Sequence, residues 1–327
     1  MNKINENGDF MKIVILDSLA LGDDLDLSLF SELGELEIYQ TSTPEQIIER
    51  TTDCEVIITN KARLNESTLK FAKSLKLICV TATGFDNIDI EYAKERKIGV
   101  CNVVGYSTSN VAQLTVGFAL NLINKITEYR RSVSSGEYTE RGVANILAPT
   151  YHEIDGLKWG IVGLGNIGKK VGAIAEALGC TILVNKRTPI DEYNCVDVDT
   201  ICRECDIISV HTPLNEGTRG LINKERIALM KDGAILINVA RGAVTDEKAI
   251  AEAIKDGKLS GFACDVYSAE PFGKEHPFYE IKDYDNVILT PHMAWGSYEA
   301  RVRLCNEVKE NIIAYLKGEI RNRIDKR

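Results

Sequence analysis

Three ionisable residues fall just beyond short apolar runs that read as β-strands. Arg241 follows Ala234–Val239, Glu270 follows Phe262–Val266, and His292 follows Val287–Thr290. If those strands are parallel, all three residues lie along one carboxyl edge, where ligands bind in open α/β sheets. His292 is one of only four histidines and is held in Thr290-Pro291-His292. A histidine exchanges a proton near neutral pH, which reduction of a carbonyl requires. A carboxylate beside it favours the imidazolium, and an arginine fork suits a substrate carboxylate. Taken singly, each has a plainer explanation: a capping histidine, a turn glutamate before Pro271, a surface arginine. Their joint placement is what points to chemistry.

A second group lies upstream. Gly163-Leu164-Gly165-Asn166-Ile167-Gly168 follows the apolar run Gly160–Val162 and leads into an amphipathic pattern through Val171, Ile174, Ala175 and Leu178. Strand, tight turn and helix are the context that makes Gly-x-Gly-x-x-Gly a dinucleotide fingerprint. Gly163 permits the turn, Gly165 admits a pyrophosphate, and Gly168 lets helix and strand pack closely. The helix start, at Asn166 and Ile167, offers N–H groups to phosphate.

These residues need a scaffold, and the chain alternates strands and helices almost throughout. The strand-like runs are Ile13–Leu16, Glu37–Tyr39, Val56–Thr59, Leu77–Thr81 and Ile98–Val103, then Thr181–Val184, Ile207–Val210 and the three runs above. Helices are expected around Leu25–Leu33, Pro44–Arg50, Asn65–Ala72, Ile90–Lys97, Asp246–Asp256 and from Tyr298 to Lys317. One long helix is expected from Val111 to about Tyr129, followed by an extended polar segment, Arg130–Glu153. This alternation implies α/β architecture with mostly parallel sheets. The loop Thr81–Asp89, with Thr83 and Gly84, exposes backbone amides at a strand end; spacing alone does not separate ligand binding from a plain turn there.

The chain has 327 residues, enough for about two domains. Its net charge of −9 argues against nucleic acid or an anionic membrane as the main partner. No apolar run approaches a membrane span. Met1–Phe10 lacks the apolar core of a secretion signal and, with Met11 heading the next strand-like run, reads either as a polar tail or as an upstream start. Nine scattered cysteines read as reduced thiols, and Cys202-x-x-Cys205 lacks the partners of a zinc site. A cytoplasmic protein is expected.

Five ordered blocks, Gly163–Gly168, His211–Thr218, Asn238–Ala243, Asp265–Pro271 and Thr290–Trp295, together resemble the D-isomer-specific 2-hydroxyacid dehydrogenases. The resemblance runs from Lys12 to Gly318. Within that family, Thr81–Gly84, Gly105–Thr108 with Val111–Gln113, and the Met293–Trp295 that follows His292 are most similar to glycerate dehydrogenases (hydroxypyruvate reductases). The resemblance implies two doubly wound parallel-sheet domains with a cleft between them. A Rossmann-type NAD(P)-binding domain (residues 104–295) would be inserted into a flavodoxin-like substrate domain (1–103 plus 296–327). It implies hydride transfer to a 2-keto carbon while His292 protonates the oxygen, Glu270 keeps His292 charged and oriented, and Arg241 binds the carboxylate or polarises the carbonyl. Thr83 and Gly84 would also hold the substrate carboxylate. Thr212, Pro213, Val239, Ala240, Asp265 and Gly296 would line the cofactor. Trp295 and Phe85 are candidates for closing the pocket, and a homodimer through the Val111–Tyr129 helix and Arg130–Glu153 is expected. Formate is disfavoured, because formate dehydrogenases carry glutamine at the Glu270 position. Phosphohydroxypyruvate is weakened as a substrate, since relatives that make it often carry a further C-terminal domain.

One departure bears on the cofactor. NAD-preferring relatives place an acidic residue at the end of the second strand to hold the ribose 2′-hydroxyl. Here that strand runs into Lys186, Arg187 and Thr188. No carboxylate repels a 2′-phosphate at that position, so NADP(H) is expected over NAD(H), with Asp191 and Glu192 as the groups that would soften the field. The leading substrates are hydroxypyruvate and glyoxylate. A broader D-2-hydroxyacid dehydrogenase acting on pyruvate or branched keto acids is the alternative within the enzymes, and a nicotinamide-sensing binding protein is the alternative outside them.

Overall fold

The computed structural model describes residues 11–188 and 190–326, so the expected Met1–Phe10 tail lies outside the described residues. Two compact units form. One comprises the chain up to Ser107 together with Gly296–Arg327, and the other is Thr108–Trp295, continuous in sequence.

In the first unit, β1 (Lys12–Ile15), β2 (Glu35–Ile38), β3 (Val56–Thr59), β4 (Leu77–Val80) and β5 (Gly99–Cys101) form one parallel sheet in the order 2-1-3-4-5. That order is the flavodoxin-like one. Strands β3, β4 and β5 are buried at every position, as expected of a parallel sheet covered on both faces. Between strands lie α1 (Pro44–Thr51), α2 (Glu66–Leu69) and α3 (Ile90–Glu95), each started by a side-chain cap from Thr43, Asn65 and Asp89. The helix expected around Leu25–Leu33 is a 3₁₀ turn, Leu27–Glu32, and the one at Asn65–Ala72 shrinks to the single turn of α2.

In the second unit, the helix expected from Val111 to Tyr129 is two helices, α4 (Thr108–Ile123) and α5 (Ile126–Ser134). The break has a local cause. Asn124 Nδ2 donates to Leu120 O, capping α4, and Lys125 turns left-handed with φ 50°. The polar segment Arg130–Glu153, expected to be extended, begins helical, with the end of α5 and then α6 (Glu137–Arg141).

The sheet of this unit is built from β6 (Lys158–Val162), β7 (Thr181–Asn185), β8 (Ile207–Val210), β9 (Ala234–Asn238), β10 (Leu259–Cys264) and β11 (Val287–Leu289), all parallel. Helices α7 (Asn166–Ala177), α8 (Val198–Glu204), α9 (Lys224–Leu229) and α10 (Glu247–Lys255) connect the strands. The order is β7-β6-β8-β9-β10-β11. A one-residue parallel bridge, Val184 to Cys195, adds the missing third position beyond β7, and the Rossmann 3-2-1-4-5-6 pattern is complete through β10, with β11 added as a seventh position. α4 and α7 cover one face around Trp159 and Ile161; α8, α9 and α10 cover the other around Ile208, Leu236 and Phe262. Cys202 and Cys205 are buried in that second layer as free thiols, their ionisation pushed up by burial to about 11 and about 12.

The chain then returns to the first unit through α11 (Tyr298–Leu316), which packs on β4. Beyond it the C-terminal segment runs against β5. Ile324 N–H donates to Val100 O at 2.9 Å, and Val100 N–H donates to Asp325 Oδ1 at 2.9 Å.

Candidate active site

Parallel strands deliver the ends of β6, β8, β9, β10 and β11 to one edge of the second unit, and the predicted residues sit there. At the end of β6, Gly163 takes φ +103°. A Cβ on it would lie 2.6 Å from Thr212 N, so only glycine lets the fingerprint turn and the Thr212–Pro213 segment meet. A Cβ on Gly168 would lie 2.3 Å from Gly163 O, which is the close helix–strand approach expected of that position. Gly165 faces open space where a side chain would stand. It is also the N-cap of α7 and supplies no side-chain cap, whereas α8, α9, α10 and α11 are capped by Asp197, Asn223, Asp246 and Ser297. The first N–H groups of α7, from Asn166 and Ile167 onward, therefore keep the donors that helix geometry leaves without partners. An open glycine over an uncapped helix start fits a pyrophosphate.

Gly163 N–H donates to Asn185 O at 3.0 Å, pinning the fingerprint beside the end of β7. Lys186, half-buried, and the exposed Arg187 and Thr188 follow directly. Among the described residues, neither cation makes an ion pair or side-chain hydrogen bond, and Asp191 and Glu192 are exposed.

At the end of β9, Asn238 organises the turn that carries Arg241. Its Oδ1 accepts from Ala240 N at 3.0 Å and its Nδ2 donates to Arg241 O at 3.0 Å. Arg241 Nη1 donates to Ala240 O. Val239 and Ala240 are half-buried on the same turn. A Cβ on Gly242 would lie 2.0 Å from Tyr267 C, so the Arg241 turn packs directly on the peptide that leads into Glu270. Neither Asn238 nor Gly242 was assigned a role by sequence reasoning. The signal was a polar residue ending an otherwise apolar strand and a glycine next to the key arginine.

Glu270 Oε1 accepts from Tyr267 N at 3.0 Å, and its Oε2 lies 2.6 Å from His292 Nδ1. This occupies one ring nitrogen and leaves Nε2 for proton exchange. Both side chains stay partly open, 25% exposed for His292 and 29% for Glu270. His292 adopts φ +54°, a left-handed conformation uncommon for a non-glycine residue. Asp265 explains how it is held. Almost wholly buried, it accepts from Thr290 Oγ1 at 2.6 Å, Met293 N at 2.9 Å and Ala294 N at 2.9 Å, gripping the loop on both sides of His292. Burial pushes the Asp265 carboxyl above the ordinary carboxylate range, against the pull of those bonds. The bonds made by Asp265 within the protein thus go to the histidine loop.

His211 ends β8. Its Nε2 lies 2.9 Å from Ser209 Oγ, which accepts from Trp159 Nε1, and its Nδ1 is buried without a partner among the described residues. Burial pushes this imidazole down to about 3 from an ordinary 6.5. A depressed base contributes stability that is whole above pH 6.5 and is lost as pH falls toward 3. Between pH 7 and pH 5 the protein should lose about 2 kcal/mol of unfolding free energy through this group. Denaturant titrations at both pH values check this: the His211→Asn variant should lose correspondingly less, and an equal loss in both proteins refutes the assignment.

The remaining predicted residues lie elsewhere. Thr83, Gly84 and Phe85 belong to the first unit, after β4. Thr83 Oγ1 donates to Val103 O at 2.8 Å, Asn102 Nδ2 donates to Thr83 O at 2.7 Å, and Phe85 packs against the core of that unit. Gly296 is the first residue after the second unit, and Trp295 the last within it.

A Rossmann-ordered sheet, a phosphate-ready helix start and a histidine–carboxylate pair on the same edge define a dinucleotide-dependent oxidoreductase. The sequence profile described as "D-isomer specific 2-hydroxyacid dehydrogenase, NAD binding domain" matches residues 116–294. The hydroxypyruvate reductase of Blautia hydrogenotrophica is 33% identical over 97% of this chain and 100% of its own length. The D-lactate dehydrogenase of Aquifex aeolicus, solved with NAD and lactic acid, superposes with a TM-score of 0.84 at 29% identity, covering 95% of this chain and 99% of that one. An acyclic imino acid reductase solved with NADPH and D-Arg superposes at 0.83, also 29% identical, over 96% of this chain and 100% of that one. The chain belongs to the D-isomer-specific 2-hydroxyacid dehydrogenase family. Among its described residues, no helix is long and apolar enough to cross a membrane.

Proposed function

We propose that this protein reduces a small 2-keto acid, hydroxypyruvate foremost and glyoxylate beside it, to the D-2-hydroxy acid. The observation that carries the reading is the 2.6 Å Glu270–His292 pair on the edge that also bears the fingerprint. A bound reduced nicotinamide supplies the hydride to the 2-keto carbon. His292 delivers the proton from Nε2 to the developing alkoxide and is reprotonated from solvent. Glu270 accepts from Nδ1–H, orienting the ring and stabilising its charged form. Arg241 binds the substrate carboxylate through its fork, and backbone amides at Thr83 and Gly84 are proposed as further carboxylate donors. Gly163, Gly165, Asn166, Ile167 and Gly168 would hold the pyrophosphate, with Thr212, Pro213, Val239, Ala240, Asp265 and Gly296 lining the remainder of the cofactor.

Hydroxypyruvate is favoured by the blocks around Thr81–Gly84 and Met293–Trp295 and by the named activity of the Blautia relative. Pyruvate is the second reading, favoured by the lactate-bound neighbour. NADPH is proposed over NADH on the strength of Lys186 and Arg187. The domain roles follow: nucleotide binding for residues 104–295, and substrate binding for 1–103 with 296–327.

We also propose a homodimer. Ile126, Val133, Tyr138, Val143, Leu147 and Tyr151 expose apolar surface along one polar stretch, more than a monomer needs there. Nine free cysteines fit a cytoplasmic, reducing setting, an assignment that recovery of the protein from an oxidising compartment would remove. Initial rates with hydroxypyruvate, glyoxylate and pyruvate, each with NADPH and NADH, test the function. Turnover of none of the three would overturn it. A monomer mass by sedimentation of the same sample would remove the dimer.

A further inference from the structure

An enclosed carboxylate–histidine cluster in the second unit plays no part in the chemistry above. Glu247 is the first residue of α10, and its side chain is 10% exposed. Its Oε1 accepts from Ser268 N at 2.8 Å. Its Oε2 accepts from the Ser268 hydroxyl and from His276 Nε2, the latter at 3.0 Å. His276 is 7% exposed, and its Nδ1 accepts from Phe278 N at 3.2 Å, which fixes the proton on Nε2. Its ring lies 4.9 Å from that of Phe272 and 5.1 Å from that of Phe278. A carboxylate this enclosed needs every one of these donors.

What the donors have in common is location. Ser268 and His276 bracket an irregular segment without helix or strand, and Glu270 sits inside it. On the other side, Glu247 begins the helix that follows the Arg241 turn, and the Gly242 in that turn abuts the Tyr267–Ser268 peptide. We propose that Glu247, locked by His276, is a positioning residue that ties the Arg241 turn to the Glu270 loop and so sets the distance between carboxylate fork and proton donor. This rests on the reading of Glu270 and His292 as the reacting pair.

Glutamine at position 247 tests it with little change of volume. The amide keeps a single acceptor: whichever way it lies, it meets either the Ser268 N–H or the His276 Nε2–H with a donor, and the Phe278 N–H prevents His276 from changing tautomer to compensate, so one of the ties is broken. A misplacement of about 1 Å away from the chemistry costs roughly 10²-fold. Glu247→Gln should therefore lower kcat by about 10²-fold, with equilibrium binding of NADPH and NADH unchanged. The deciding measurement is a double-mutant cycle with Glu270→Gln. If Glu247 acts through Glu270, the double variant should turn over no more slowly than Glu270→Gln alone. Multiplying losses, or an unchanged kcat in Glu247→Gln, overturn the proposal. A Glu270→Gln variant with wild-type kcat would instead overturn the reacting pair itself, so the two failures are distinguishable. If Glu247→Gln does not fold, Ser268→Ala takes its place in the same cycle: it removes one of the three donors and should give a smaller kcat loss with the same non-additivity.

Discussion

Replacing His292 by glutamine lowers kcat for 2-keto acid reduction by about 10³-fold and leaves the affinity for the reduced nicotinamide nucleotide unchanged. Positioned proton transfer contributes about 10²- to 10⁴-fold, and His292 is the donor proposed for it. His292 Nδ1 is engaged by Glu270, so the only proton the ring can deliver is the one on Nε2. Glutamine fills similar space and can hydrogen-bond a carbonyl oxygen, but it carries no exchangeable acid. Affinity is expected to survive because the fingerprint groups belong to β6, α7 and the end of β7, while His292 follows β11. Stopped-turnover rates and fluorescence titration of the nucleotide, run on the same preparations, check both halves. The variant also separates catalysis from sensing. A protein that only reports nicotinamide state would keep its ligand affinity and have no turnover to lose, so wild-type turnover followed by this collapse excludes that reading. A variant with near wild-type kcat would instead show that the proton comes from elsewhere.

The loop that carries His292 shows where local sequence stops being informative. The strands that precede Arg241, Glu270 and His292 were legible because apolar runs mark strands whatever lies around them, and a parallel sheet forces their ends to one edge. The fingerprint was legible because glycine spacing records where backbone must approach backbone, and Gly163 and Gly168 make those close approaches. The ties that hold the residues in place were not legible. Asp265 grips residues some 25 positions away, and Glu247 grips Ser268 and His276. Such partners are set by tertiary register, and a lone acidic residue after a strand or at a helix start reads the same with or without them. The same limit applies to the fold. The third position of the nucleotide sheet is a single bridge at Cys195, too short to show any period. The break between α4 and α5 depends on Asn124 turning its side chain back to a carbonyl, which a continuous apolar stripe conceals.

Asp265 and Glu247 illustrate one design from two sides. The left-handed backbone at His292 and the irregular loop around Glu270 are conformations that the chain would not hold unaided. Each is over-determined by a buried carboxylate whose hydrogen bonds go to backbone N–H groups and short side chains within that loop. The strands bring the residues to one edge, and these carboxylates hold the loops that carry them.

Neutralising the two cations after β7 should change cofactor choice more than any other surface substitution. Gly163 is bonded to Asn185, so the residues that follow Asn185 stand next to the fingerprint. In NADPH the group expected there is the 2′-phosphate of the adenosine ribose, which Lys186, Arg187 and Thr188 would meet with two positive charges and a hydroxyl. A hydrogen bond to a charged partner contributes about 1.5 kcal/mol or more. Losing two of them in Lys186→Ser/Arg187→Ser should raise KM for NADPH roughly 10²-fold. NADH has only a hydroxyl at that position, so its KM should move by less than about threefold, the scale of a modest surface effect. The loss should also shrink as salt rises, because the exposed Arg187 is screened. The reverse substitution sharpens the test: Lys186→Asp places a carboxylate where it can accept from the 2′-hydroxyl and repel the phosphate, and should move preference toward NADH. Equal changes in KM for the two nucleotides, or a wild-type protein that already prefers NADH, would mean that Asp191 and Glu192 offset the cations and that Lys186 and Arg187 are only the solvated end of a strand.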